Sequence, residues 1–136
     1  MTLLKLIQTL KECAKSHDAV KTIVDNDIYK LNDMGNVEYG VFAYTQSVHT
    51  TNIDSDTITY DLTLFFVDLL QEDLSNQIEI QSKAIEVLEY VLQVLYASGI
   101  VVFGDYSFQP FSERFSDYCS GCFVQARFVS PKERFC

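Results

Sequence analysis

Residues 57–64 alternate strictly: Ile58, Tyr60, Leu62 and Leu64, with Phe66 continuing their face, are apolar, while Thr57, Thr59, Asp61 and Thr63 between them are polar. Side chains of an extended chain point to opposite faces in turn. This period of two therefore specifies a half-solvated antiparallel strand. From Phe65 and Val67 onward both faces are apolar. That end of the strand needs cover on both sides, from another element or another subunit.

A second pattern supplies one cover. Over residues 76–97, Ile78, Ile85, Leu88, Leu92 and Leu95 form one stripe, and Ala84, Val87, Val91 and Val94 an adjoining one. A helix with so wide an apolar face is the main packing partner of the sheet. Asn76 or Ser75 stands where an N-cap is needed, and Gly99 is placed as the glycine just past the last turn. Residues 2–16 predict a short amphipathic helix, with Leu3, Leu6, Ile7, Leu10 and Cys13 or Ala14 at spacings of three and four. Thr2 is its candidate N-cap. Its basic residues are too few to hold anionic lipid, so the stripe reads as a core face.

The remaining segments are plainer. Val20, Ile23, Val24, Ile28 and Leu31 predict a short strand or irregular arm, ending in turn residues over 32–36. Residues 39–46 are aromatic and β-branched, hence a strand. Residues 47–56 are polar apart from Val48 and Ile53 and predict a long exposed hairpin loop. Residues 100–103, 106–109 and 119–129 supply the last strands, with Pro110 and Gly121 as interruptions. The predicted fold class is α+β: an antiparallel sheet with one long packing helix and a short N-terminal helix. A chain of 136 residues fits a single domain, 1–136.

Charge narrows the partners. Ten Lys and Arg against nineteen Asp and Glu leave −9, which disfavours a nucleic-acid binder that works by neutralising phosphates. Between Lys30 and Lys83 there is no Lys or Arg but nine acids: Asp33, Glu38, Asp54, Asp56, Asp61, Asp68, Glu72, Asp73 and Glu79. The plainer reading is a solvated sheet face. The sharper one is a surface that repels another polyanion. Lysines interrupt the apolar N-terminus, so a secretory core of roughly 7–15 apolar residues is not expected. No run approaches the ~18 apolar residues of a membrane span. Four dispersed cysteines do not make a disulfide scaffold, and a reducing cytoplasm is the expected place of synthesis.

Chemistry-bearing residues are sparse. Cys119 and Cys122 have C-x-x-C spacing, but in a strand residues three apart face opposite ways, so small buried residues beside a bulge at Gly121 are the simpler expectation. His17 and His49 stand in a helix end and a polar segment, without a nucleophile beside them, and read as solvated. Asp54 and Asp56 lack the glycine and distal glutamate of a calcium loop. No catalytic, cofactor-binding or metal-ligating residue is assigned, and an enzyme is not expected.

Residues 60–70 (YDLTLFFVDLL), followed by 76–82 (NQIEIQS) opening a long helix, resemble a pattern in structural proteins of tailed bacteriophages that infect Bacteroidetes. Residues 109–122 (QPFSERFSDYCSGC) are similar to the final hairpin of those proteins. The element order also resembles the tail-terminator and tail-completion fold over roughly residues 2–130. The resemblance implies a virion protein, made in the bacterial host cytoplasm, that forms a ring at the head–tail neck or the top of the tail. It implies a homo-oligomer, hexamer or dodecamer, contacting other phage neck, portal or tail proteins. DNA would pass through without specific binding, no membrane would be involved, and no cofactor is implied. A wall of Asp54, Asp56, Asp61, Glu72 and Asp73 facing the lumen would suit that passage. The competing reading is a non-viral cytoplasmic α+β protein-binding module without catalysis.

Overall fold

The computed structural model describes residues 2–34, 37–71, 73, 75–102, 106–115 and 117–131. The chain is α+β. In the described residues two helices, α1 (Leu3–Lys15) and α2 (Gln77–Ala97), join six strands: β1 (Thr22–Val24), β2 (Val41–Asn52), β3 (Thr57–Leu69), β4 (Val101–Val102), β5 (Gln109–Arg114) and β6 (Tyr118–Pro131). The sheet runs β1-β2-β3-β6-β4, and β5 also pairs with β6. Every pairing among these strands is antiparallel except β1 with β2. The expected antiparallel sheet thus has one parallel strand, β1, laid beside the start of β2.

The alternation of β3 sets the core. Tyr60, Leu62, Leu64 and Phe66 are buried on one face with Phe42 and Tyr44 of β2 and Cys122, Val124, Ala126 and Phe128 of β6. Against that face pack Ala84, Val87, Leu88, Val91, Leu92 and Leu95 of α2, and Leu6 and Leu10 of α1. Ile85 and Val94 are partly buried there. Ile78 is not: it is 76% exposed, and Ile80 is the residue that turns inward. The first turn of α2 meets a polar patch of the sheet. Gln77 Nε2 donates to Ser112 Oγ at 2.9 Å, and Gln81 Nε2 donates to the buried Ser120 Oγ at 3.2 Å. Ser120 in turn donates to the Phe111 carbonyl at 3.1 Å, so the buried hydroxyl is satisfied.

The helix ends follow their sequences with one exception. Thr2 Oγ1 caps α1 by accepting from the Lys5 N–H at 3.2 Å. Gly99 has φ +88°, and the Gly99 and Ile100 N–H groups donate to the Tyr96 and Leu95 carbonyls at 3.1 Å each. That bonding closes the C-terminus of α2 in a Schellman motif. Asn76 holds the N-cap position of α2, but its side chain bonds the Gln71 N–H and the Leu69 carbonyl instead. It ties down the connection from β3 rather than the helix.

The second cover on β3 comes from the chain itself. Val24 of β1, Ile28 and Leu31 of a 3-10 helix (Ile28–Asp33) and Phe115 bury Val41, Ala43, Val67 and Cys119 on the opposite face. Phe65, Phe111 and Phe123 form a three-ring cluster beside them, with centroids 5.8 to 6.1 Å apart. Tyr39 donates to Asp117 Oδ2 at 2.7 Å, and Tyr29 to Glu113 Oε2 at 3.2 Å, fastening the 3-10 helix and the residues just before β2 to the β5–β6 hairpin.

Two boundaries differ from expectation. Residues 47–56 are not a long loop: β2 continues to Asn52 and β3 begins at Thr57, leaving only Ile53–Asp56 as the turn. Polar side chains do not prevent this, since the ladder is made by backbone groups. One bulge interrupts it, where Ser47 and Val48 stand opposite Asp61. The strand expected over 106–109 starts instead at Gln109 and runs to Arg114. Pro110 is accommodated because β5 is an edge strand that pairs, among the described residues, with β6 alone.

Candidate functional site

The residues singled out for chemistry do not converge. Cys119 belongs to the cluster over the second face of the sheet, and Cys122 to the α2 face. Their side chains lie on opposite sides, so they cannot close one disulfide or bind one ion together. No bulge separates them, because Gly121 pairs in unbroken register with Val67 and with Phe111. Burial pushes the Cys119 thiol up to about 11 and raises those of Cys122 and Cys13, which keeps all three protonated near neutrality. Cys136 lies outside the described residues. Among the described residues no three His, Cys, Asp or Glu are grouped to hold a metal ion. No described helix is long and apolar enough to cross a membrane.

Neither histidine is freely solvated. His17 Nδ1 accepts from the Ala19 N–H at 3.0 Å, and its ring sits edge-on to Tyr90 with centroids 4.9 Å apart. His49 packs edge-on to Tyr60 at 5.4 Å and shares a 3.1 Å hydrogen bond with Gln46 Oε1. Both serve the local packing.

The acidic run is divided by the fold. Asp54 and Asp56 are at the tip of the β2–β3 arm, whereas Asp68, Asp73 and Glu79 are at its other end or beyond. Asp61, midway, is neutralised by Arg127 across the sheet, with Nε–Oδ1 at 2.9 Å. Glu72 lies outside the described residues. The acids of the run are thus spread along the whole length of the arm rather than gathered at one point of the chain.

What remains distinctive is a pair of surfaces far apart along β2. One is the outer arm, where residues 46–55 keep their backbone in the ladder or turn while all side chains except His49 are exposed. Val48 and Ile53 are 67% and 83% exposed there. The other lies where α1 meets β1. Lys11, Lys15, Val20, Lys21, Ile23 and Asp25 line an open groove of about 260 Å³. A neighbouring polar cleft of about 370 Å³ is lined by His17, Asp18, Lys21, Asp68 and Lys83, with Tyr39 at its wall. The lysines of these two hollows come from α1, the residue just before β1 and the first half of α2, so spacing along the chain does not reveal them as neighbours.

Asp25 organises the groove. Its carboxylate accepts from Lys11 Nζ at 2.9 and 3.2 Å and from the Tyr44 hydroxyl at 2.9 Å. The Lys11 hydrogen bond is the main reason its carboxyl titrates below the ordinary 3.8. The buried Tyr44 hydroxyl is pushed up to about 12, first by burial and then by Asp25. A carboxyl lowered in the folded state stabilises above its unfolded value, and the gain disappears as pH falls through the folded value. Asp25→Asn is expected to lower stability at pH 7 by less than about 1 kcal/mol, since the carboxylate is half exposed. The deficit in urea midpoint should shrink as pH falls from 7 to below the ordinary 3.8. An equal deficit at both ends of that range would assign the loss to packing rather than charge.

No protein-family model matches the chain, and no curated protein is significantly similar to it in sequence.

Proposed function

We propose that this chain is a ring-forming virion protein of a tailed bacteriophage. It acts at the head–tail neck or the top of the tail as a tail terminator, tail-completion or connector protein. Its partners are further copies of itself, as a hexamer or dodecamer, and the adjoining neck, portal or tail proteins. Its work is assembly and the passage of DNA, without catalysis.

The observation that carries this reading is the β2–β3 arm. A monomer gains little from a paired strand extension whose side chains are solvated and whose turn exposes Ile53. A stiff arm of this kind is useful for reaching a neighbour. The α+β order of short helix, hairpin, packing helix and final strands is in keeping with the tail-terminator resemblance. Net charge of −9 suits a protein that lets DNA pass rather than holding it.

Negative-stain imaging of the purified protein tests the proposal. Closed rings of six or twelve copies are expected. Particles that stay monomeric at every concentration imaged would overturn it.

A further inference from the structure

The groove at the α1–β1 junction and the turn of the β2–β3 arm are opposite in charge. The groove carries three lysines against the single carboxylate of Asp25, and that carboxylate is already engaged by Lys11. Lys15 and Lys21 are exposed, and among the described residues neither has an ion-pair partner. The arm turn carries Asp54 and Asp56, and no Lys or Arg occurs anywhere from Leu31 to Ser82. The apolar character also matches. Val20 and Ile23 are half-buried in the groove, and Ile53 is 83% exposed at the turn.

The two surfaces of one chain cannot meet. β1 pairs with β2 at Val41–Ala43, so the groove stands at the root of the arm. Ile53 follows ten residues beyond Ala43, about 30 Å further at a strand's rise of roughly 3.3 Å per residue. The ladder to β3 keeps β2 extended over that distance. The arm turn can therefore reach such a groove only on a second molecule.

We propose that the arm turn of one copy seats in the groove of the next. Ile53 packs on Val20 and Ile23, and the Asp54 carboxylate lies between the ammonium groups of Lys15 and Lys21. The contact joins two different patches, so it is heterologous and generates a closed ring when the rotation closes. It rests on the ring-forming reading and names the contact that would build the ring. Because the pairing is partly electrostatic at an exposed rim, assembly should weaken as salt rises.

The test uses the full chain in three forms: wild type, Asp54→Lys, and the double variant Lys15→Glu with Lys21→Glu. All three positions are exposed, and circular dichroism with a thermal melt checks that each variant keeps the fold. Light scattering and negative-stain imaging read the assembly. Wild type should form rings, and each variant should raise the apparent dissociation constant of self-association by about tenfold or more. Mixing the two variants distinguishes this contact from general repulsion. Substituting both sides reverses both charges, so the altered turn of one copy fits the altered groove of the other, and assembly of the mixture should exceed that of either variant alone. Rings that persist unchanged in both variants would overturn the contact while leaving the ring-forming reading intact. Monomers in all three forms would overturn both.

Discussion

Gly121→Ala is expected to cost about 3 kcal/mol or more, a large part of the roughly 5–15 kcal/mol that holds a domain together. An alanine Cβ there would overlap the Phe66 carbonyl oxygen and stand 2.9 Å from the Val67 Cα. Both are backbone atoms of β3, so no side chain can rotate out of the way. β3 and β6 would have to separate at the point where thirteen consecutive residue pairs are in register. Gly121 also pairs with Phe111 on its other side, so relief in that direction displaces β5. Equilibrium urea unfolding measures the loss, and a variant too unstable to purify reports the same result. A cost under about 1 kcal/mol, no larger than an average substitution, would mean that the strands do not approach so closely.

The parts of this fold that are legible in the sequence are those where side chains decide the structure. β3 alternates as far as Leu64 because there one face meets the helices and the other is partly solvated, and the alternation stops where Phe65 and Val67 gain their own cover. α2 shows its stripes because Ala84, Val87, Leu88, Val91 and Leu95 are fully buried. Gly99 ends that helix with a positive φ that an L side chain resists. The outer arm is hidden for the opposite reason. Its strand is held by backbone ladder bonds to β3, and the side chains of residues 46–55 carry no alternation because almost none is buried. Residues 22–33 are hidden because their apolar groups follow no single period. Val24, Ile28 and Leu31 reach the second face through a short strand and a 3-10 helix, each too brief to establish a pattern.

The candidate surfaces are legible only in part. The absence of Lys and Arg from 31 to 82 is plain in the sequence, but the division of its acids between the two ends of the arm is a consequence of β2 and β3 being long. The pairing of Asp61 with Arg127 depends on register between strands 66 residues apart, which composition does not encode. The groove gathers Lys11 and Lys15 from a helix and Lys21 from the connection just before a strand. Only the packing of α1 beside β1 makes them neighbours.

The register of α2 on the sheet is tested by a pair of substitutions on one helix. Leu88→Ala is expected to cost about 2–5 kcal/mol, and Ile78→Ala to stay within about 0.5 kcal/mol. Leu88 is fully buried and packs in the cluster that holds Leu64, Phe66, Val124 and Leu10, so its truncation leaves a cavity between helix and sheet. Removed methyl groups lose their transfer energy, and the residual void adds to the loss as far as the neighbours fail to collapse. Ile78 belongs to the same apolar stripe when the sequence is read alone, seven residues before Ile85. In the folded chain the first turn presents Gln77, Ile80 and Gln81 to the sheet, and Ile78 is left 76% exposed. Truncating it removes little surface from any contact. The pair therefore separates the helix's phase from its hydrophobicity: two large aliphatic residues on one helix differ in effect by several-fold. Matching losses at the two positions, read from urea midpoints at constant slope, would show that α2 is rotated from this packing.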